Sequence, residues 1–104
     1  MVAESGPTGV VIAADAVPEG GGTILTAQGV VVTQPSPGVF VAFGTTCPHL
    51  GCAVRAVAGG TINCFCHGSR FRIADGSVAG GPAAEPLTRL PVRVADGMVE
   101  VGEA

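Results

Sequence analysis

The chain of 104 residues has no lysine, no tryptophan and no tyrosine, and its aromatic content is four phenylalanines. With no lysine, the positive charge rests on five scattered arginines (Arg55, Arg70, Arg72, Arg89, Arg93), and the formal net charge is -3. No basic patch or stripe exists for a phosphate backbone to follow, which excludes nucleic acid as a partner. The same absence settles Gly20-Gly21-Gly22-Thr23: a phosphate loop needs an ammonium to reach the phosphate, so this stretch reads as a strand connector. Long apolar runs are missing as well. None approaches the ~18 residues of a membrane span, and the start "MVAESGPTGVVIAADAVPEGGG" lacks the basic opening and long apolar stretch of a signal peptide. The chain as it stands is expected to be soluble, with no membrane span, and it is compatible with an anchor elsewhere in a full-length protein.

What is present is small and β-branched. The apolar fraction is 47%, carried mostly by Val, Ala, Ile and Leu. The length suits a single domain over residues 1–104, burying roughly 60–68% of its unfolded surface. A core that thin gains from an added staple or cluster. Short runs of strand-forming residues recur along the chain: Val10-Val11-Ile12, Thr23-Ile24-Leu25-Thr26, Val30-Val31-Val32-Thr33, Val39-Phe40-Val41-Ala42-Phe43, Thr61-Ile62-Asn63-Cys64, Ser69-Arg70-Phe71-Arg72-Ile73, Leu90-Pro91-Val92-Arg93-Val94 and Met98-Val99-Glu100-Val101. Gly/Pro clusters such as "PEGGG" and "QPSPG" bound them. Ala27-Gln28-Gly29, Ala58-Gly59-Gly60, Asp75-Gly76 and Asp96-Gly97 supply turn residues that tolerate positive φ. The pattern predicts an all-β fold, an antiparallel sandwich or barrel with almost no helix.

Chemistry concentrates in one stretch, "CPHLGCAVRAVAGGTINCFCH". All four cysteines (Cys47, Cys52, Cys64, Cys66) and both histidines (His49, His67) fall within these 21 positions. They form two similar clusters, Cys47-x-His49-x-x-Cys52 and Cys64-x-Cys66-His67, each in a loop after a strand. A structural zinc site needs four N or S ligands, but the paired Cys-x-x-Cys knuckle is missing. Covalent haem needs Cys-x-x-Cys-His, and Cys64-Phe65-Cys66-His67 is one residue short of it. A nucleophilic Cys/His pair would lack an orienting acid and leave three cysteines without a role. From the residues alone these readings stay open beside an iron–sulfur site.

The spacing Cys47-x-His49 and Cys64-x-x-His67, the boxes "CPHLGC" and "CFCHGS", and Gly80-Gly81-Pro82 together resemble the Rieske [2Fe–2S] family, over about residues 8–102. The resemblance implies a Rieske-type antiparallel β-sandwich or barrel whose small cluster-binding part, about residues 44–86, is built from two loops. It implies that Cys47 and Cys64 hold one iron and His49 and His67 the other, and that Cys52 and Cys66 form a disulfide tying the loops together. Such a bridge persists in oxidising compartments, which points to an extracytoplasmic or membrane-associated setting. Leu50, Gly51, Gly68, Ser69, Phe71 and Pro82 are implied around the cluster, with the segment "GGPAAEPL" (residues 80–87) covering it. Ser69 stands where high-potential members have a serine that donates to a bridging sulfide. Phe71 stands where they have a tyrosine that donates to a ligand cysteine, so one donor is gone.

The implied activity is one-electron transfer between a protein donor and a protein acceptor, with quinol or a cytochrome among the candidates. The chain would be the electron-transfer component of an oxidoreductase rather than a catalyst by itself. The quinol:cytochrome c and arsenite-oxidase types of small Rieske subunit, a stand-alone exported Rieske protein, and a ring-hydroxylase ferredoxin are the settings in view, and a zinc-binding module is the non-redox alternative.

Overall fold

The computed structural model describes residues 10–46, 52–65, 68–81 and 85–102. Among the described residues there are eleven strands and two short 3-10 turns, arranged as three antiparallel sheets. This is the all-β architecture the strand pattern predicts.

The middle sheet has the order β2 (Gly21–Leu25), β3 (Val30–Ser36), β4 (Val39–Gly44), β9 (Arg89–Leu90). Its central strand β3 reads "VVVT" without alternation because both of its faces are covered, and Val30 to Thr33 are all at most 1% exposed. The period-two geometry sends Val31 to one side, where it packs with Val41 and Phe43, and Val30 and Val32 to the other, where they pack with Ala42. The basal side is closed by a sheet of β1 (Val10–Ala13), β11 (Met98–Val101) and β10 (Val92–Ala95), which contributes Val10, Val99 and Val101. The other side is closed by a meander of β5 (Val54–Ala58), β6 (Thr61–Cys64), β7 (Arg70–Arg72) and β8 (Val78–Gly80), which contributes Val54, Ile62, Cys64 and Phe71.

The turn chemistry explains the registers. Ala58 faces Thr61 across Gly59-Gly60 and Ala95 faces Met98 across Asp96-Gly97, and all four turn residues have positive φ (63°, 80°, 54° and 75°). That is the primed two-residue turn matched to strand twist. The run Leu90 to Val94 does not form one strand. Pro91 has no N–H to give to a ladder, and the chain changes sheets there, β9 pairing with β4 and β10 with β11. Gly21 and Gly22 belong to β2, and a Cβ on Gly22 would lie 2.7 Å from the Val32 carbonyl oxygen. Gly21 and Gly22, expected in a connector, instead sit within the strand, where they serve its close approach to β3.

Two buried polar groups join the layers. The Thr33 hydroxyl donates to the Ile73 carbonyl at 2.8 Å, bonding the middle sheet to the meander. Gln34 donates through Nε2 to the Val17 carbonyl (2.6 Å) and accepts from Gly38 N–H (2.9 Å), pinning the β1–β2 connection to the β3–β4 turn.

Candidate metal centre

Both loops that carry the Cys/His boxes rise from the same end of the meander. The first leaves β4 and returns to β5. Its neck is closed by the isolated bridge Thr46↔Ala53, by Val54 N–H donating to the Thr45 carbonyl (2.8 Å), and by Thr45 N–H donating to the Gly29 carbonyl (3.0 Å). The second joins β6 to β7 and is closed by Cys64 N–H donating to the Ser69 carbonyl at 2.8 Å. The two necks adjoin, because Val54 and Cys64 are cross-strand partners on β5 and β6. Loops seventeen residues apart in sequence, counted from Cys47 to Cys64, are thereby anchored side by side.

Cys64 is a free thiol, 2% exposed, at the last position of β6. Cys52 is half-buried, packs against the apolar cluster that contains Cys64, and is engaged by a partner. Gly68 has φ +81, the left-handed geometry that swings the chain back towards β7. Ser69 is 1% exposed and is itself engaged. Phe71 is fully buried, opposite Ile62 in the ladder, and Cys64 lies on the same face one diagonal step away. Cys47, His49, Leu50, Gly51, Cys66, His67 and Pro82 lie outside the described residues. Accordingly, among the described residues no three His, Cys, Asp or Glu side chains gather as a metal site.

Gly81 makes a close backbone approach that sequence patterns could not reveal. Gly81, at φ +91, passes so close to the second loop that a Cβ there would lie 2.4 Å from Ser69 Cα and 2.8 Å from the Gly68 carbonyl oxygen. Further along, Leu87 is buried in the same core as Cys64 and Phe71, and its N–H donates to the Gly76 carbonyl at 3.0 Å. Gly81 and Leu87 thus each lie against the meander. At the meander's far end Asp75 accepts from Ser77 through the hydroxyl (2.6 Å) and the N–H (2.9 Å). The Ser77 hydroxyl, then its backbone N–H, hold the Asp75 carboxyl below its ordinary pKa.

A buried free thiol at the mouth of a loop suits a thiolate-ligated cluster. The family comparison is decisive: the model of the Rieske [2Fe–2S] domain matches residues 8–91. The chain belongs to the Rieske [2Fe–2S] domain family. Rieske domains carry a [2Fe–2S] cluster of that type and move single electrons, and the chain carries one such cluster.

Among curated relatives, the chain is 42% identical over 66 residues to the carotenoid phi-ring synthase of Chlorobaculum tepidum, a match covering 62% of this chain and 10% of that protein. It is 44% identical over 55 residues to the cytochrome b6-f complex iron-sulfur subunit 1 of Synechocystis, covering 52% of this chain and 30% of that one. This Rieske domain thus spans under a third of the length of either relative. Among solved structures, the plasma membrane Rieske protein PetC3 from Synechocystis superposes with a TM-score of 0.64 at 34% identity, over 69% of this chain and 74% of that one. No helix among the described residues is long and apolar enough to cross a membrane.

Proposed function

We propose that this chain is a single Rieske domain, its cluster-binding part at about residues 44–86, which passes electrons one at a time between a protein donor and a protein acceptor. Cys47 and Cys64 are assigned to one iron and His49 and His67 to the other. When bound, such a cluster supplies a one-electron site whose two neutral imidazoles make an added electron easier to accept than four thiolates would. The observation carrying this assignment is the pairing Val54↔Cys64, which anchors the two box-bearing loops next to each other.

The same register supports a Cys52–Cys66 disulfide. Val54 and Cys64 are cross-strand partners, so the stretch just before Val54, which carries Cys52, and the stretch just after Cys64 join adjacent strand ends. Cys52 is engaged by a partner, while Cys64 is a free thiol available as a ligand. Such a bridge would close the loop end with roughly 2–4 kcal/mol of stabilisation, and it favours an oxidising compartment. Ser69 and the lid from Gly80 to Pro82 are assigned to the cluster's surroundings: the serine as a hydrogen-bond donor, the lid as a barrier to water. Leu50, Gly51 and Gly68 complete the loops, and Phe71 supplies an apolar wall in place of a donor.

The setting is an electron-transfer component of an oxidoreductase, with quinol and a cytochrome both among the partners to be tested. The test is a reductive titration followed by visible absorption. One electron per chain, with loss of the chromophore in Cys64→Ser, is expected. A colourless protein that binds stoichiometric zinc would replace the electron carrier by a zinc-binding module. Mass spectrometry of the unreduced protein is expected to find a Cys52–Cys66 cross-link, and two alkylatable thiols there would remove the disulfide from the account.

A further inference from the structure

The charges of this acidic chain are unevenly spread, although Arg93 and Glu100 pair at 3.6 Å on the basal sheet. At the basal pole, exposed Asp15 and Glu19 line a hollow beside Gln34 and Gly38. Ala14 N–H, next to Asp15, bonds the Gly97 carbonyl beside exposed Asp96. Between residues 20 and 74 there is no acidic residue, and three of the five arginines fall in that span. Arg55 and Arg70 sit at the loop end of the meander, on β5 and β7, both exposed and, among the described residues, without a carboxylate in ion-pair reach. Arg72 points its guanidinium back to Ser77 and the Val78 carbonyl, beside Asp75. Glu85, exposed on the lid, is the one described acid on the 81–87 segment.

At the same end stands Phe65, 69% exposed. It follows β6, between the strands bearing the two arginines, and shares with Arg55, Cys52 and Ala53 a cleft of about 400 Å³. An exposed phenylalanine in a chain with four of them is costly to keep in water, and beside a cation it forms an apolar anchor with a positive rim. A surface of this kind recognises an apolar spot ringed by carboxylates. Since the basal pole is acidic, an acidic partner is steered to the loop end and repelled from the other.

Resting on the electron-carrier assignment, we propose that Phe65 and Arg55, which share the cleft, form the docking face for an acidic redox protein. The electron balance is simple: one electron leaves the reduced cluster and one reduces the partner's oxidised metal, with no bond made or broken.

The experiment uses the holoprotein, reduced and mixed by stopped flow with an oxidised acidic blue-copper protein or a basic c-type cytochrome. At about 10 mM salt, where the Debye length is about 30 Å, the acidic protein is expected to react about tenfold faster than at about 1 M, where screening leaves about 3 Å. Arg55→Glu should remove about tenfold of the low-salt rate, within the usual range of steering effects. Arg93→Glu, an equal charge change on β10 at the basal sheet, should change it less than about twofold. Phe65→Ala should slow the reaction at both salt concentrations. A faster reaction with the basic cytochrome, equal losses in Arg55→Glu and Arg93→Glu, or an unchanged high-salt rate in Phe65→Ala would each overturn the docking face. Oxidation by ferricyanide separates the two levels: if it reoxidises the reduced protein while the acidic preference is missing, only the docking face falls, and if no reducible chromophore exists, the electron carrier falls with it.

Discussion

Gly81→Ala is the substitution whose cost the structure fixes most tightly. Two effects combine. Gly81 holds φ +91, and placing a side chain in that region costs about 1–3 kcal/mol. In addition, the new Cβ would meet Ser69 Cα at 2.4 Å and the Ser69 nitrogen at 2.8 Å, against the roughly 3.5–4.0 Å at which carbon atoms pack. Both neighbours are backbone, so relief needs a shift of about 1 Å between the lid and the second loop, at an overpacking cost of about 1–3 kcal/mol. Gly59→Ala isolates the first effect, since Gly59 has φ +63 and nothing within 4 Å of its Cβ position. The expected penalty is about 1 kcal/mol for Gly59→Ala and about 3 kcal/mol or more for Gly81→Ala. The reporter is the amide of Cys64, whose N–H is held by the Ser69 carbonyl under that contact. Native-state hydrogen exchange of this amide should accelerate roughly a hundredfold in Gly81→Ala, since each 1.4 kcal/mol is about tenfold. The cluster's visible absorption should bleach faster too. If Gly81→Ala matched Gly59→Ala in exchange and in bleaching, the close approach of Gly81 to the second loop would carry no cost and the reasoning would be wrong.

Three further outcomes are expected. Phe71→Tyr restores a hydroxyl at a fully buried position diagonal to Cys64; if its hydrogen bond favours the reduced state by about 1 kcal/mol, protein-film voltammetry should show the potential rising by about 40 mV, and no rise would sink the idea that the missing donor lowers it. Thr33→Val removes the bond to the Ile73 carbonyl and leaves a buried acceptor, so chemical denaturation should record a loss of about 1–3 kcal/mol. The Asp75 carboxyl should titrate in NMR below the ordinary aspartate range, because its partner Ser77 favours the charged form; this depressed group adds stability above the unfolded-state pKa that disappears as pH falls through the folded one, and a midpoint at the ordinary value would contradict it.

The parts of the fold visible in the sequence were those with dense side-chain signals. The β-branched runs at Val30 and Val39 and the glycine pair at Gly59-Gly60 fall where strands and turns form. Strand β5 went unread because its alternation is broken: the register shifts between Val54 and Ala56, leaving Arg55 out of step. Strand β8 is three residues of modest side chains, Val78 to Gly80, that carry no period. Leu90 and Val92 look like one strand and belong to two sheets, since a proline's missing donor shows in sequence but its consequence for topology does not.

The site divides the same way. The Cys and His spacing and the two boxes resemble those of the Rieske family, but the adjacency of the two necks through Val54 and Cys64 is tertiary information. So is the close approach of Gly81 to Ser69, since a glycine in "GGPAAEPL" looks like loop filler until the neighbouring backbone is in place. Phe65 was visible only as a spacer between two cysteines, and its exposure beside Arg55 gives it a second role.

The most direct test of the central claim is low-temperature EPR of the dithionite-reduced protein, read together with Cys64→Ser. A rhombic signal with the low average g-value of a cluster held by two thiolates and two imidazoles, absent from the Cys64→Ser protein, is the predicted result. A silent spectrum, or the signal of a four-thiolate cluster, would contradict it.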